Sequence, residues 1–541
     1  MTTRFRSGHL QPKRIFDLQT SIVPVTPSCY SEAVKHAVWR KAMSLEFEAL
    51  QQQGTWVLVP SSPGLNVLGN KWIFRTKYNS DGSLAQYKAR LVAKGFHQEF
   101  GIDYFDTFSP VAKFPTIRIL FTVAISRNWP ILQLDVSIAF LHGHLEETVY
   151  MKQPQGFVDS NYPDHVCLLK KAIYGLKQAP RQWFATFTSF LTDFNFRIST
   201  ADPSLLLFSK AATQLYILVY VDDILLTGND PSVLHSLLEV LHSRFHMRNL
   251  GNVSNFLGIQ VIPISSGLHL SQTQYAENLL IKAGMKDCKP VQTPLPTKLP
   301  QLTDSADLFA QPELYRQLVG SLQYLTITRP DMSFAVNFLC QHMHKPHVFH
   351  FQLLKRVLRY LRGTLQLGLP ILSSSLELQA YSDSDWASDT TTRRSVTGYC
   401  AYLGTNLVSW CVKKQTTVAR SSTEAEYRAL AAAASDVIWL RRLLTEFQVE
   451  TSSPTTLFCD NVSAIALANN PVFHARTKHI EVDFHYIRDC IKLKHIVVHH
   501  VASVDQTADI FTKALPAARF QSLCTKLTLK ETTVNLRGGD K

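Results

Sequence analysis

The chain has 541 residues and is 45% hydrophobic, more than one ordinary domain requires, so two or three domains are expected. Lys plus Arg outnumber Asp plus Glu by 55 to 42, a formal charge of +13 that suits a polyanionic partner, although it also suits any basic soluble protein. Nine scattered cysteines with no Cys-x-x-Cys pair argue against a locally spaced zinc site, and the polar, basic start with no apolar run of about 18 residues argues against secretion or a membrane span.

In chain order, residues 1–35, with Pro12, Pro24 and Pro27 among polar neighbours, read as a flexible arm, and a globular region begins near Trp39. The run Ile131-Leu132-Gln133-Leu134-Asp135-Val136 is an apolar strand ending in one carboxylate. Two β-prone runs from Leu215 to Gly228 flank Asp222 and Asp223, which predicts a hairpin presenting both acids near its tip. Adjacent acids are costly in such apolar company unless a cation compensates them. The dipeptide alone is equally a solvated turn, but with Asp135 two strands can converge three acids on one point. Phosphoryl transfer needs divalent cations about 3.5–4 Å apart, and Mg²⁺ prefers carboxylate oxygens.

From 286 to 312, Pro290, Pro294, Pro296, Pro300 and Pro312 deny continuous helix or strand and predict a linker. A basic helical module is expected over 313–375, where Phe351, Leu354, Val357, Leu358 and Leu361 form an apolar stripe and Lys355, Arg356, Arg359 and Arg362 lie largely off it. His342, His344, His347 and His350 lack the spacing of a helical metal pair, so contact with a duplex backbone is preferred to zinc there.

From 376 the pattern turns α/β, with strands expected over Leu378 to Asp383, Thr397 to Leu403 and Leu407 to Trp410, an Ala-rich helix after Ser421 and a strand ending at Asp460. Asp383, Glu426, Asp460 and Asp509 fall on two strand ends and two helices, from which four carboxylates can gather around paired metals that activate water. Ser421-x-x-Glu424 is a capping-box pattern that gives Glu424 a structural task, and the choice between Glu424 and Glu426 rests on the resemblance below, with whose catalytic glutamate Glu426 aligns better. Asp385 and Asp505 read as solvated or turn-forming, and His499 and His500 as surface or strand histidines.

Tyr220-Val221-Asp222-Asp223 matches the catalytic hairpin of reverse transcriptases, and Gln133-Leu134-Asp135-Val136 with Ala139-Phe140-Leu141-His142-Gly143 resembles the first metal motif of the Ty1/copia class. Further matches are Tyr87 to Phe96, Phe108-Ser109-Pro110-Val111 and Ile173 to Arg181. Asp383-Ser384-Asp385-Trp386-Ala387, Ser421 to Tyr427, Cys459-Asp460-Asn461 and Ala508 to Lys513 resemble a copia-type ribonuclease H. The chain thus resembles a Pol polyprotein fragment of a Ty1/copia-type retrotransposon, over about residues 36–520.

The resemblance implies a multidomain α/β and α+β protein: a right-hand polymerase of fingers, palm and thumb, then a ribonuclease H-like mixed-sheet domain. The expected divisions are 1–35 arm, 36–285 reverse transcriptase, 286–312 linker, 313–375 connection, 376–520 nuclease and 521–541 tail. Asp135, Asp222 and Asp223 would hold two Mg²⁺ ions, as would Asp383, Glu426, Asp460 and Asp509, with Mn²⁺ able to substitute. Lys88, Arg90 and Lys94 would grip the incoming deoxynucleoside triphosphate; Tyr174, Gly175 and Lys177 would support nucleotide and template; Phe140 would exclude a ribose 2′-hydroxyl. Phe256, Leu257 and Gly258 resemble the primer grip. Ser137-Ile138 departs from the Lys and Asn frequent after Asp-Val in the family, and neither is a metal ligand.

Implied partners are an RNA template, a DNA primer, the RNA–DNA hybrid and other Pol or Gag products, with no membrane; the implied setting is a cytoplasmic virus-like particle or the nucleus. The rival reading is an inactive, nucleic-acid-binding remnant or domesticated copy, against which the presence of every expected carboxylate speaks. No Asp-Ser-Gly or Asp-Thr-Gly of an aspartic protease and no His-His-Cys-Cys integrase pattern occurs.

Overall fold

The computed structural model describes residues 26–78, 84–136, 138–299, 307–470 and 481–531. Most of the expected arm, residues 300–306 of the expected linker, residues 532–541 of the tail and Ser137 lie outside the described residues. Two compact units emerge, one from residues 1–109 with 140–186 and one from residues 110–139 with 187–541.

In the first unit, helix Ala37–Gln52 buries Trp39, Ala42, Met43 and Leu50, a stripe at helical spacing. Trp39 packs edge-on against Phe74 and Tyr87, which pins the helix to the long hairpin of Asn70–Tyr78 and Leu84–Ala93. A separate sheet has the order Trp56–Pro60, His165–Lys171, His144–Met151, Val67–Leu68.

Among the described residues the second unit carries three sheets. The first is antiparallel throughout, in the order Met247–Asn252, Ile131–Val136, Asp223–Gly228, Thr213–Tyr220, Leu205–Lys210, Arg197–Ile198. Leu215 to Val219 are consecutively buried, as a strand covered on both faces requires. Helix Phe114–Ser126 is buried from Thr116 to Ala124, including Arg118.

A second sheet unites Asn255–Phe256, Ile259–Ile264 and Gly267–Ser271 with Leu367–Leu372 and Lys530–Glu531, so it joins strands from both sides of the proline-rich segment. Helix Val348–Gly363 buries Leu354, Val357, Leu358 and Leu361 as its stripe predicts. Its arginines are hydrogen-bonded, Arg356 and Arg359 half-buried and Arg362 exposed. Arg359 Nε donates to Lys289 O at 2.7 Å, Arg362 Nε to Lys286 O at 2.7 Å, and Arg356 to Thr293 Oγ1 at 2.9 Å, so all three hold the proline-rich segment in place. The expected duplex contact by the histidines does not extend to His350. That ring is buried, stacks on His342 with centroids 3.8 Å apart, and accepts from His347 N at 3.0 Å.

The third sheet has the order Asn406–Lys414, Val396–Leu403, Leu378–Ser384, Thr455–Cys459, Ile496–His500, the first three antiparallel and the last two parallel to the centre. Helix Ser422–Glu446 packs on it. This domain also docks on the first sheet's surroundings. Arg118 donates to Val408 O (2.8 Å) and Ile327 O (2.9 Å) beneath the Trp410 ring, Trp439 Nε1 donates to Ala201 O (2.8 Å), and Glu446 accepts from Ser199 Oγ and from Thr200 N and Oγ1. Burial lowers the pKa of Arg118 to about 9, against the pull of Asp436.

Candidate active sites

The first acid site is made by strand register. Asp223 opens the return strand of the hairpin and pairs with Tyr220 across the turn and with Asp135 on the neighbouring strand. Directly opposite residues share a face with Cβ atoms about 4.5–5.5 Å apart, so two carboxylates are fixed side by side by backbone pairing alone. The turn is tight: Val221 takes φ 56°, a costly conformation for a β-branched residue, and it sets Asp222 at the tip, where Asp222 O accepts from Val136 N at 3.3 Å. All three acids are half-buried. Burial, then Asp222 and Asp135, raise the Asp223 pKa to about 6. Arg248, which sequence reasoning passed over, faces Asp135 from the other neighbouring strand. The Phe256–Gly258 hairpin turns through Leu257 (φ 52°) and Gly258 (φ 72°), with Leu257 O accepting from Tyr324 Oη; a Cβ at Gly258 would run into that hydroxyl.

In the other unit, three of the expected nucleotide residues meet. The Arg90 guanidinium lies 4.1 Å over the Tyr174 ring, Phe140 meets the same ring edge-on at 4.6 Å, and Arg90 Nη1 is buried with no hydrogen-bond partner among the described residues. An unsatisfied buried guanidinium nitrogen suits an anionic ligand. Lys88 lies on the same strand, two residues from Arg90, whereas Lys94 lies beyond its end and donates its N–H to Gly69 O at 2.8 Å. Gly175 takes φ 93° because its backbone crosses against Ala93, whose carbonyl a Cβ would strike. Lys177 is committed to a network that the sequence did not reveal: its Nζ donates to Gln98 O and Tyr104 Oη, both at 3.2 Å, while Gln98 and Gln178 bond to each other at 2.9 Å.

The second acid site draws on four separated segments. Asp383 (1% exposed), Glu426 (6%) and Asp509 (7%) are buried, with Asp460 half-buried beside them. Oxygens of Asp383, Asp460 and Asp509 lie within 4.8 Å of one another, as do ligand atoms of Glu426, Cys459 and Asp460; among the described residues these are the groups of three or more so gathered. The carboxylate oxygens of Asp383, Glu426, Asp460 and Asp509 fit hard divalent cations, whereas the Cys459 sulfur does not. Glu424 stands apart: its N–H donates to the Ser421 hydroxyl, its carboxylate accepts from Arg420 N and pairs with Arg428.

This second site also contains cations that sequence reasoning left without a role. Lys513 Nζ sits 2.7 Å from Asp509 and 3.2 Å from Asp383, Arg519 lies 3.2 Å from the other Asp509 oxygen, and the Thr512 hydroxyl donates to Asp383. Their signal was a lysine four residues after a catalytic candidate. Burial is the main cause that raises the pKa of both Asp383 and Glu426; Lys513 opposes the shift and neighbouring acids add to it. Asp385, expected to be solvated or turn-forming, is half-buried and accepts from Val396 N at 2.7 Å, and burial raises its pKa to about 6. Asp505 is exposed and pairs with Lys526.

The reverse transcriptase (RNA-dependent DNA polymerase) family matches residues 53–297. The retrovirus-related Pol polyprotein from transposon RE2 of Arabidopsis thaliana is 48% identical over 531 residues, 97% of this chain and 36% of that protein. The putative transposon Ty5-1 protein YCL074W of Saccharomyces cerevisiae is 33% identical over 54% of this chain and 97% of its own length. A solved foamy viral protease-reverse transcriptase in complex with double-stranded DNA is 12% identical over 87% of this chain and 71% of its own, with a TM-score of 0.23. The chain spans about a third of the length of the Arabidopsis relative that it matches along nearly all of its own. It belongs to the family of retrovirus-related Pol polyproteins of copia-type retrotransposons.

Proposed function

We propose that the chain is an RNA-directed DNA polymerase with a ribonuclease H, copying retrotransposon RNA into DNA and hydrolysing RNA within the resulting hybrid. The observation that carries this reading is the presence of two separate carboxylate sites on one chain, Asp135 with Asp222 and Asp223, and Asp383 with Glu426, Asp460 and Asp509. When bound at either site, paired Mg²⁺ or Mn²⁺ would supply charge that activates the attacking oxygen and stabilises the leaving one. The chain's own part is to hold the acids ready: the sheet register aligns Asp135 with Asp223, and the Val221 turn raises Asp222 beside them. Arg90, with Lys88 and Lys94, binds the triphosphate, and Phe140, packed on Tyr174, closes the space a 2′-hydroxyl would need.

Recognition of template and hybrid rests on phosphates, duplex shape and 2′-hydroxyls, so sequence preference is low and binding weakens steeply with salt. Extension of a DNA primer on poly(rA) with Mg²⁺ or Mn²⁺ tests the reading. Labelled deoxynucleotide incorporation supports it, and none with either ion counts decisively against the polymerase half.

A further inference from the structure

We propose that Lys513 is a resident counter-cation of the second acid site, which the divalent ion bridging Asp383 and Asp509 must displace. The inference rests on the nuclease reading of that site. The Lys513 ammonium sits 2.7 Å from Asp509 Oδ1 and 3.2 Å from Asp383 Oδ2, with Asp383 Oδ1 at 3.3 Å. These acids belong to the set whose oxygens converge within 4.8 Å. A Mg²⁺ ion takes carboxylate oxygens at about 2.0–2.1 Å, so an ion shared by the two acids occupies the ground the ammonium now holds. Two cations that close repel strongly in a buried site.

The lysine has somewhere to go. Its side chain is 40% exposed, and it is tethered just beyond the short helix Thr507–Phe511 that carries Asp509. Arg519, the other cation on Asp509, is tied to the carbonyls of Ser503 and Val504, so it stays and keeps the second Asp509 oxygen oriented. The Thr512 hydroxyl similarly keeps Asp383 in place. One cation is therefore movable while the framework around it is fixed. Once displaced, the ammonium is a free donor beside the site, and the phosphates of a bound hybrid are the polyanion that accepts it. Metal loading and hybrid binding then favour each other.

The test is Mn²⁺ binding, followed by electron paramagnetic resonance, on chains whose polymerase site is silenced by Asp222→Asn with Asp223→Asn. Lys513→Gln should bind Mn²⁺ at the nuclease site about tenfold more tightly than the parent, a difference of about 1.4 kcal/mol, whereas Lys513→Arg should stay within about twofold of it. Unchanged or weaker binding by Lys513→Gln overturns the proposal. The unsubstituted chain provides a second measurement that does not depend on how the variant folds. Acylation of Lys513 by a lysine-reactive ester, read by mass spectrometry, should rise severalfold when Mn²⁺ is added, and a rate that is unchanged or falls overturns the proposal. If Asp383→Asn removes no Mn²⁺ from the silenced chain, the nuclease reading itself fails along with this inference.

Discussion

The two acid sites solve the same electrostatic problem in different ways. In the polymerase-like site, cross-strand register and a strained turn set half-buried carboxylates side by side, and burial, with repulsion from Asp222 and Asp135, pushes Asp223 up to about 6. In the nuclease-like site the acids come from four segments, and Asp383, Glu426 and Asp509 are buried more deeply, with Lys513, Arg519 and Thr512 holding Asp383 and Asp509. A site fixed by backbone pairing stays rigid despite repulsion, because ladder hydrogen bonds carry the geometry. The second site has a ladder for only part of its acids: the parallel pairing of Leu378–Ser384 with Thr455–Cys459 brings Asp383 towards Asp460, whereas Asp509 comes from outside the sheet and is held to Asp383 by countercharge and hydrogen bonds from side chains.

The largest expected effect that sharpens this contrast concerns the two neighbouring glutamates. Glu426→Gln should reduce hybrid cleavage at least ~10²-fold, while Glu424→Gln should retain cleavage and cost about 1 kcal/mol through the weakened helix start. Equal losses of activity would erase the distinction between the acid that faces the site and the one that caps the helix.

Phe140→Ala comes next. Opening the space beside Tyr174 should raise ribonucleotide incorporation relative to deoxynucleotide by about 10–10²-fold, read by competing the two triphosphates on one primer. Unaltered discrimination would return Phe140 to an ordinary packing role.

A smaller effect concerns pH. The folded pKa of Asp223 lies above its ordinary value of 3.8, so this group makes the metal-free chain less stable as pH rises from about 4 through about 6. Asp223→Asn should therefore raise the metal-free melting temperature above pH 6 by about 2–4 °C, with no gain near pH 4, and added Mg²⁺ should stabilise the parent more than the variant. A gain that is the same at both pH values would mean that ionisation of the buried Asp223 is not its cause.

Legibility in the sequence followed locality. The Asp222–Asp223 hairpin and the strand of Asp135 were readable because alternating apolar runs and a turn lie within a few residues of each acid. The strands Leu378–Ser384 and Val396–Leu403 came within one residue of expectation at each end, whereas Asn406–Lys414 runs well past Trp410 because its pairing with Val396–Leu403 continues through Cys411 and Val412 to the two lysines at its end. Long-range partners were out of reach. Nothing near Arg359 or Arg362 shows that each binds a carbonyl some seventy residues earlier, and nothing near Gly267–Ser271 shows that it pairs with Leu367–Leu372. The nucleotide residues were placed by family resemblance alone. Lys513 stood inside a quoted motif, but its contact with Asp383, 130 residues away, exists only in the fold.

The most direct test is a crossed assay of two substitutions in the same preparation, following primer extension on poly(rA) and RNA loss from a preformed hybrid. Asp222→Asn should lose extension and keep hybrid cleavage, and Asp460→Asn should do the reverse. If either substitution abolishes both activities in a chain that still unfolds cooperatively, or abolishes neither, the account of two independent acid sites is contradicted.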